Sequence, residues 1–205
     1  MDKMLSQWSG KKVLVEMCKQ QLPLAQLSIN ERKHYDSFTT QSRKAEWLKG
    51  RNALKVLLHK NNESLDTEQI SFPNKSYSLT HNDGLAIAIA MDDVTGVGVD
   101  FEVWHDVKPT MVEWFLNNAE KLWLSTLSGQ KFEQEFVRLW TVKEALFKAT
   151  MNNEELGLID FKIDEPSAIS GLATVVNHPY WQLRYKCIVN NAGALCVAFC
   201  QRSSI

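Results

Sequence analysis

Apolar and polar positions repeat along the chain with two periods, and these periods predict where helices and strands lie. Apolar residues recur at roughly helical spacing from Arg43 to His59, so we expect one long helix there. The pattern from Ser28 to Glu31 is a capping box and predicts another helix start. Short apolar runs next to turn residues predict buried strands at Leu85 to Met91 and Val97 to Val103.

The order of elements predicts the fold class. In the second half we expect helices and then strands, at Val112 to Phe115, Ala119 to Leu127, Glu133 to Thr150, Phe161 to Ile163, Trp181 to Val189 and Ala194 to Cys200. The first half shows the same order, with further strands at Val13 to Val15 and Tyr77 to Leu79. Two such series predict an α+β fold of two halves, which we divide into residues 1–98 and 99–205.

Composition and charge exclude several kinds of protein. The 205 residues are 44% hydrophobic and 23% charged, which is typical of a globular chain, and the net charge is −1. The net charge therefore gives no long-range electrostatic attraction to nucleic acid or to a membrane. Any site for an anion must be a local cluster of Lys and Arg. The sequence shows neither a signal peptide nor a membrane span, so we expect a cytoplasmic protein. The four cysteines lack zinc-ligand spacing, and we expect buried free thiols.

Two acidic residues interrupt the apolar run from Gly96 to Val103. Asp100 and Glu102 are two positions apart, so on a strand they share one face. Two carboxylates this close raise each other's pKa, and a divalent cation such as Mg²⁺ would relieve the repulsion. The alternative is a strand end at which both acids meet solvent. The two interpretations are equally supported by this segment alone.

A second pair of charged residues lies on the predicted helix from Glu133 to Thr150. Glu144 and Lys148 are four positions apart and share a helix face. An exposed ion pair would explain them, but Trp140, Leu146 and Phe147 indicate that this helix packs into a core. The pair therefore suits a third metal ligand, or a base, beside a phosphate-binding lysine.

Two further segments are candidates for anion binding. Thr80 and His81 end a predicted strand and could donate hydrogen bonds to a phosphate, although this segment alone is better explained by a turn with a solvent-exposed histidine. The long basic helix contains Arg43 and, further along, Lys49-Gly50-Arg51. A solvated face is the usual explanation for such charge. Glycine inside a helix costs about 1 kcal/mol relative to alanine, so Gly50 suggests close approach of another backbone or a ligand.

Together these segments resemble the 4′-phosphopantetheinyl transferases, in particular the two-halved, surfactin-synthetase-activating (Sfp) type. The resemblance rests on Gly98-Val99-Asp100-Phe101-Glu102 and on Trp140-Thr141-Val142-Lys143-Glu144-Ala145, in the family's order and near its spacing. Leu79-Thr80-His81 is similar to the family's Ser-His element, and the helix from Arg43 to Arg51 resembles its R-x-x-F-L-x-G-R segment.

The resemblance implies a pseudo-dimer of two α+β halves with the active site in the cleft between them, acting as a monomer. It implies transfer of the phosphopantetheine arm of coenzyme A to a serine of an apo acyl or peptidyl carrier protein. Asp100, Glu102 and Glu144 would bind Mg²⁺. Glu144, helped by Lys143, would assist deprotonation of the serine. Coenzyme A would contact Lys148, His81, Thr80, Arg43, Arg51 and Asp100.

The sequence also departs from the family pattern and leaves other functions open. Thr80 replaces a frequent serine, and a basic Gly-Lys-Pro-like segment is not recognisable near Ser71 to Lys75. A module that binds coenzyme A or a carrier protein without chemistry is one alternative. A second alternative is another Mg²⁺-dependent phosphate enzyme, such as a hydrolase.

Overall fold

The computed structural model describes residues 1–68, 70–82, 84–151 and 155–202. The chain divides into two compact units, Met1–Asp93 and Val94–Ile205, which we call the N-terminal and C-terminal units. The division follows Asp93 rather than residue 98, so the whole strand Gly96–Val103 lies in the C-terminal unit. The predicted cleft between the halves stays a prediction.

The N-terminal unit consists of helices and a three-stranded antiparallel sheet with the strand order β1-β3-β2. Its elements are α1 (Asp2–Ser9), β1 (Val13–Cys18), α2 (Ile29–Ser37), α3 (Gln41–Lys60), β2 (Tyr77–His81) and β3 (Ala86–Met91). Leucines of α3, among them Leu54 and Leu57, pack against the small residues Ala86 and Ala88 of β3. The small side chains of β3 let the long basic helix lie close to the sheet.

The C-terminal unit consists of helices and a five-stranded antiparallel sheet with the order β4-β8-β7-β6-β5. Its elements are β4 (Gly96–Val103), α4 (Pro109–Phe115), α5 (Asn118–Leu124), α6 (Gly129–Ala149), β5 (Phe161–Ile163), β6 (Ser170–Val175), β7 (Trp181–Val189) and β8 (Gly193–Arg202). The core of this unit joins α6 to inward-facing residues of β7 and β8. Each unit thus places one long helix against an antiparallel sheet.

The structure confirms the predicted α+β fold and most of the predicted elements. The capping box of α2 is present, with Ser28 and Glu31 in the expected contacts. The sequence analysis missed α1, which is only eight residues long, and β6, in which Ser170 and Gly171 weaken the alternation. Of the four free cysteines, Cys18 is half-buried and the other three are buried. Across the described ranges, we find no helix with the length and apolar character needed to cross a bilayer.

Candidate functional site

Two glycines of β4 bring helix α6 against the strand. A Cβ atom added at Gly96 or Gly98 would lie 2.0 Å or 1.8 Å from the carbonyl oxygens of Ala149 and Ala145. These glycines therefore face the α6 backbone, and Asp100 continues the same face two residues further along. Close approach at the glycines brings the acidic end of β4 alongside the last two turns of α6.

Lys148 of α6 pairs with Asp100 of β4. The Lys148 Nζ atom donates to Asp100 Oδ1 at 2.8 Å and to the Val99 carbonyl oxygen at 3.1 Å. Asp100 is 5% exposed, whereas the Lys148 side chain keeps a quarter of its surface accessible. The two predicted segments therefore meet in one place, with a cationic side chain at the surface and a carboxylate beneath it.

Glu102 and Glu144 belong to the same electrostatic site. The pKa of Glu102 is raised to about 7, chiefly by burial and then by the charges of Asp100 and Glu144, against the opposing charges of His105 and Lys148. Burial and the charge of Asp100 also raise the pKa of Glu144. These three acids, with Lys148, form what we call the carboxylate site. The structure thus brings together residues that are about forty positions apart in the chain.

The chemistry of the carboxylate site fits a hard divalent cation. Three half-buried or buried carboxylates repel one another, and oxygen ligands of this kind are those that Mg²⁺ prefers. Within the described part of the chain, no group of three or more His, Cys, Asp or Glu side chains is placed so as to hold a metal ion. Mg²⁺ at phosphate sites uses one or two carboxylates together with waters and substrate oxygens, so the donors do not have to form a closed cage.

Lys143, the neighbour of Glu144, lies elsewhere. Its side chain is fully buried, and its ammonium forms an ion pair with Glu120 at 2.7 Å. It also donates to the carbonyl oxygens of Leu158 and Phe161. Because adjacent helical residues point about 100° apart, Lys143 faces the core. This burial argues against the predicted catalytic role of Lys143.

Two predicted anion-binding residues of the N-terminal unit, Arg43 and His81, lie near Glu46, which the sequence analysis did not single out. Arg43 Nη1 and His81 Nδ1 lie 3.7 Å and 3.8 Å from the same Glu46 oxygen. Thr80 is buried in β2, next to His81. The spacing of Glu46 three residues after Arg43 on a helix was the available signal. Arg43 and His81 thus lie near the same carboxylate.

Arg51 lines a separate cavity of about 390 Å³ in the N-terminal unit. Its guanidinium stacks 5.0 Å from the Trp47 ring centroid and donates to the Thr67 carbonyl oxygen at 3.3 Å. Burial lowers the pKa of Arg51, and the charge of Glu31 opposes that shift.

At Gly50, an added Cβ would lie 3.0 Å from a methyl group of Leu79, so the close approach suggested by this glycine is to a side chain of β2.

Comparison with known families identifies one superfamily. A model of the 4′-phosphopantetheinyl transferase superfamily matches residues 96–200, just over half of the chain. The match contains all four residues of the carboxylate site. The chain therefore belongs to the 4′-phosphopantetheinyl transferase superfamily, and this membership supports transfer of a phosphopantetheine group as its general chemistry. No curated protein matches the chain.

Proposed function

We propose that this protein transfers the 4′-phosphopantetheine arm of coenzyme A to a serine of an apo acyl or peptidyl carrier protein. The serine oxygen would form a bond to the β-phosphorus, the bond from that phosphorus to the bridging oxygen would break, and adenosine 3′,5′-bisphosphate would leave. The observation that carries the proposal is the approach of Lys148 and Glu144 to Asp100 and Glu102 within the family-matched segment.

The residues of α6 would act directly on the reacting groups. A quarter of the Lys148 side chain is exposed, and its ammonium has one N–H beyond those given to Asp100 and Val99, which could contact a phosphate oxygen and offset the charge that develops as the bond breaks. Before a cation binds, the pKa of Glu144 is raised by burial and by the charge of Asp100. Glu144 would accept the proton of the serine hydroxyl, a role worth about 10²–10⁴-fold in rate.

In this proposal Asp100, Glu102 and Glu144 would supply the carboxylates for Mg²⁺, one or two of them binding it directly, with waters and phosphate oxygens completing its coordination. When bound, the ion would neutralise pyrophosphate oxygens of coenzyme A. The support is the mutual repulsion of three carboxylates that share one partly buried site.

The nucleotide end of coenzyme A would be bound by Arg43, Arg51, Thr80 and His81 of the N-terminal unit. The Arg51 cavity supports this assignment, because a guanidinium that lines a cavity can offer charge to a phosphate. Glu31 also lines the cavity, but Lys55 pairs with it at 2.9 Å. Two units that each place a long helix on an antiparallel sheet support the finer assignment to the two-halved Sfp type.

The test is incubation with coenzyme A, Mg²⁺ and a panel of apo carrier proteins, read by mass spectrometry of the carrier. We expect a mass gain of one phosphopantetheine with the wild type, and a loss of rate of at least about 10²-fold with Glu144→Gln. Glu133→Gln, the same substitution on the same helix outside the site, is the matched control.

Three outcomes would contradict the proposal. Near wild-type labelling by Glu144→Gln would remove the assigned base. Binding of coenzyme A without a mass gain on any carrier would indicate a binding module. Release of phosphate from a nucleotide without a carrier would indicate a hydrolase.

A further inference from the structure

The Lys143 ammonium finds acceptors for all of its N–H donors inside the core. Its side chain is 0% exposed, and Nζ lies 2.7 Å from Glu120 Oε2, 3.1 Å from the Leu158 oxygen and 2.9 Å from the Phe161 oxygen. A lysine ammonium has three N–H donors, and three acceptors surround this one. No donor is left over for a substrate.

Glu120 is equally enclosed and has further contacts of its own. Its side chain is 0% exposed, and Oε2 also accepts from the Asn117 N–H at 2.9 Å as part of the α5 capping box. Its other oxygen accepts from the Ile163 N–H at 3.4 Å. The Lys143–Glu120 pair therefore connects α5, α6, β5 and the turn Leu158–Asp160 at one buried point.

This connection determines the direction in which α6 presents its next residue. Since successive helical side chains point about 100° apart, holding Lys143 in the core directs Glu144 away from it. Lys148 then contacts Asp100 on another side of the same helix. The helix is thus held from two sides, by one ion pair in the core and by another at the carboxylate site.

We propose that the buried Lys143–Glu120 pair is a positioning element, which orients Glu144 and Lys148 toward Asp100 and Glu102 without touching substrate. This inference rests on the proposed function, because it assigns a role toward the same carboxylate site. Removing one member leaves a buried charge without its partner, so α5 and α6 must rearrange. Replacing both residues with uncharged residues of similar shape leaves no buried charge without a partner, so α5 and α6 need to rearrange less.

The experiment compares Lys143→Met, Glu120→Gln and the double variant in Mn²⁺ binding, measured by electron paramagnetic resonance without coenzyme A or carrier. We expect Lys143→Met to weaken Mn²⁺ binding by about 10–100-fold, the usual effect of losing a group that orients ligands. The double variant should bind at least several-fold more tightly than Lys143→Met, because Glu120→Gln removes the charge that would otherwise stay buried without a partner. Transfer rates should follow the same order.

Leu139→Ala is the matched control, because Leu139 is a fully buried residue of α6 outside both ion pairs. It should lower the unfolding midpoint and leave Mn²⁺ affinity unchanged at a temperature at which circular dichroism shows a folded protein. Equal weakening by Leu139→Ala would overturn the inference. If Lys143→Met does not fold, unchanged Mn²⁺ affinity in both Glu120→Gln and the double variant overturns it as well.

Other outcomes separate this inference from the proposed function. One such outcome is that Lys143→Met loses transfer activity but keeps its Mn²⁺ affinity, with no recovery of transfer in the double variant. That result would make Lys143 catalytic and overturn the positioning role. A wild type that binds Mn²⁺ but labels no carrier would refute the proposed function alone. If the wild type binds no Mn²⁺, crystal structures of the wild type and of Lys143→Met test the inference instead. The 2.8 Å contact between Lys148 and Asp100 should be lost in Lys143→Met, and its presence there would overturn the inference.

Discussion

Glu102 shows how much a single side chain depends on its surroundings. Its spacing from Asp100 predicts a shared face, and this spacing alone fits either a solvent-exposed strand end or a bound cation. In the folded chain it is half-buried beside two other carboxylates, and burial is the main reason why its pKa rises to about 7. A solvent-exposed strand end would not produce that shift. The environment of Glu102 therefore favours the cation, although the ligand set stays a proposal.

The raised pKa of Glu102 predicts how stability depends on pH without divalent cations. The folded state holds this proton up to about pH 7, whereas the unfolded chain releases it near 4.5, so the free energy of unfolding should fall as pH rises between these values. Glu144 should act in the same direction. Chemical denaturation in chelator at pH 5 and pH 8 checks this, with Glu102→Gln showing a smaller fall.

The raised pKa values of Glu102 and Glu144 predict that Mg²⁺ stabilises the protein more at pH 8 than at pH 5, because a cation binds the ionised carboxylates. Thermal unfolding with and without Mg²⁺ measures this difference. An equal gain in melting temperature at both pH values would argue against a cation at these residues.

At the scale of elements, the packing of α6 on β4 depends on backbone approach at two glycines. The sequence predicted both elements, the strand at Val97 to Val103 and the helix at Glu133 to Thr150, because each has its own hydrophobic period. It did not predict that Gly96 and Gly98 lie against the carbonyl oxygens of α6. That contact joins residues about fifty positions apart, and no local pattern encodes it.

Gly98→Ala should therefore disrupt the carboxylate site. The new methyl group would lie 1.8 Å from the Ala145 oxygen and 2.8 Å from the Ala149 nitrogen, so α6 must move away from β4. We expect a loss of about 1–3 kcal/mol in the free energy of unfolding and a loss of Mn²⁺ affinity.

Gly157→Ala is the control for Gly98→Ala, because its added carbon would be 3.6 Å from the nearest side-chain oxygen, an ordinary contact. Denaturant titration and electron paramagnetic resonance measure both variants. Wild-type Mn²⁺ affinity in Gly98→Ala would mean that the site does not depend on this approach.

At the scale of the whole molecule, the candidate residues divide between the two units. All members of the carboxylate site lie in the C-terminal unit, whereas Arg43, Arg51, Thr80 and His81 lie in the N-terminal unit. The family match from residue 96 to residue 200 falls entirely in the C-terminal unit. The proposed cation and nucleotide contacts should therefore be separable by mutation.

Arg51→Ala should raise KM for coenzyme A by about tenfold or more, because a charged hydrogen bond is worth about 1.5–3 kcal/mol. Its Mn²⁺ affinity should equal that of the wild type. Steady-state kinetics and Mn²⁺ titration measure the two effects, and Lys12→Ala, which also removes one positive charge from the N-terminal unit, is the control. An unchanged KM in Arg51→Ala would remove the cavity from the coenzyme A site.

The sequence by itself determined the α+β class, most element positions and the pairs Asp100–Glu102 and Glu144–Lys148. These follow from periods of two and 3.6 residues, which operate within one strand or one helix. Only the tertiary structure decided which lysine of α6 meets which acid. Lys143 and Lys148 look alike in the sequence, yet one pairs with Glu120 in the core and the other with Asp100 at the site. The reason is that a helix can turn any face toward a sheet, and long-range packing selects the face.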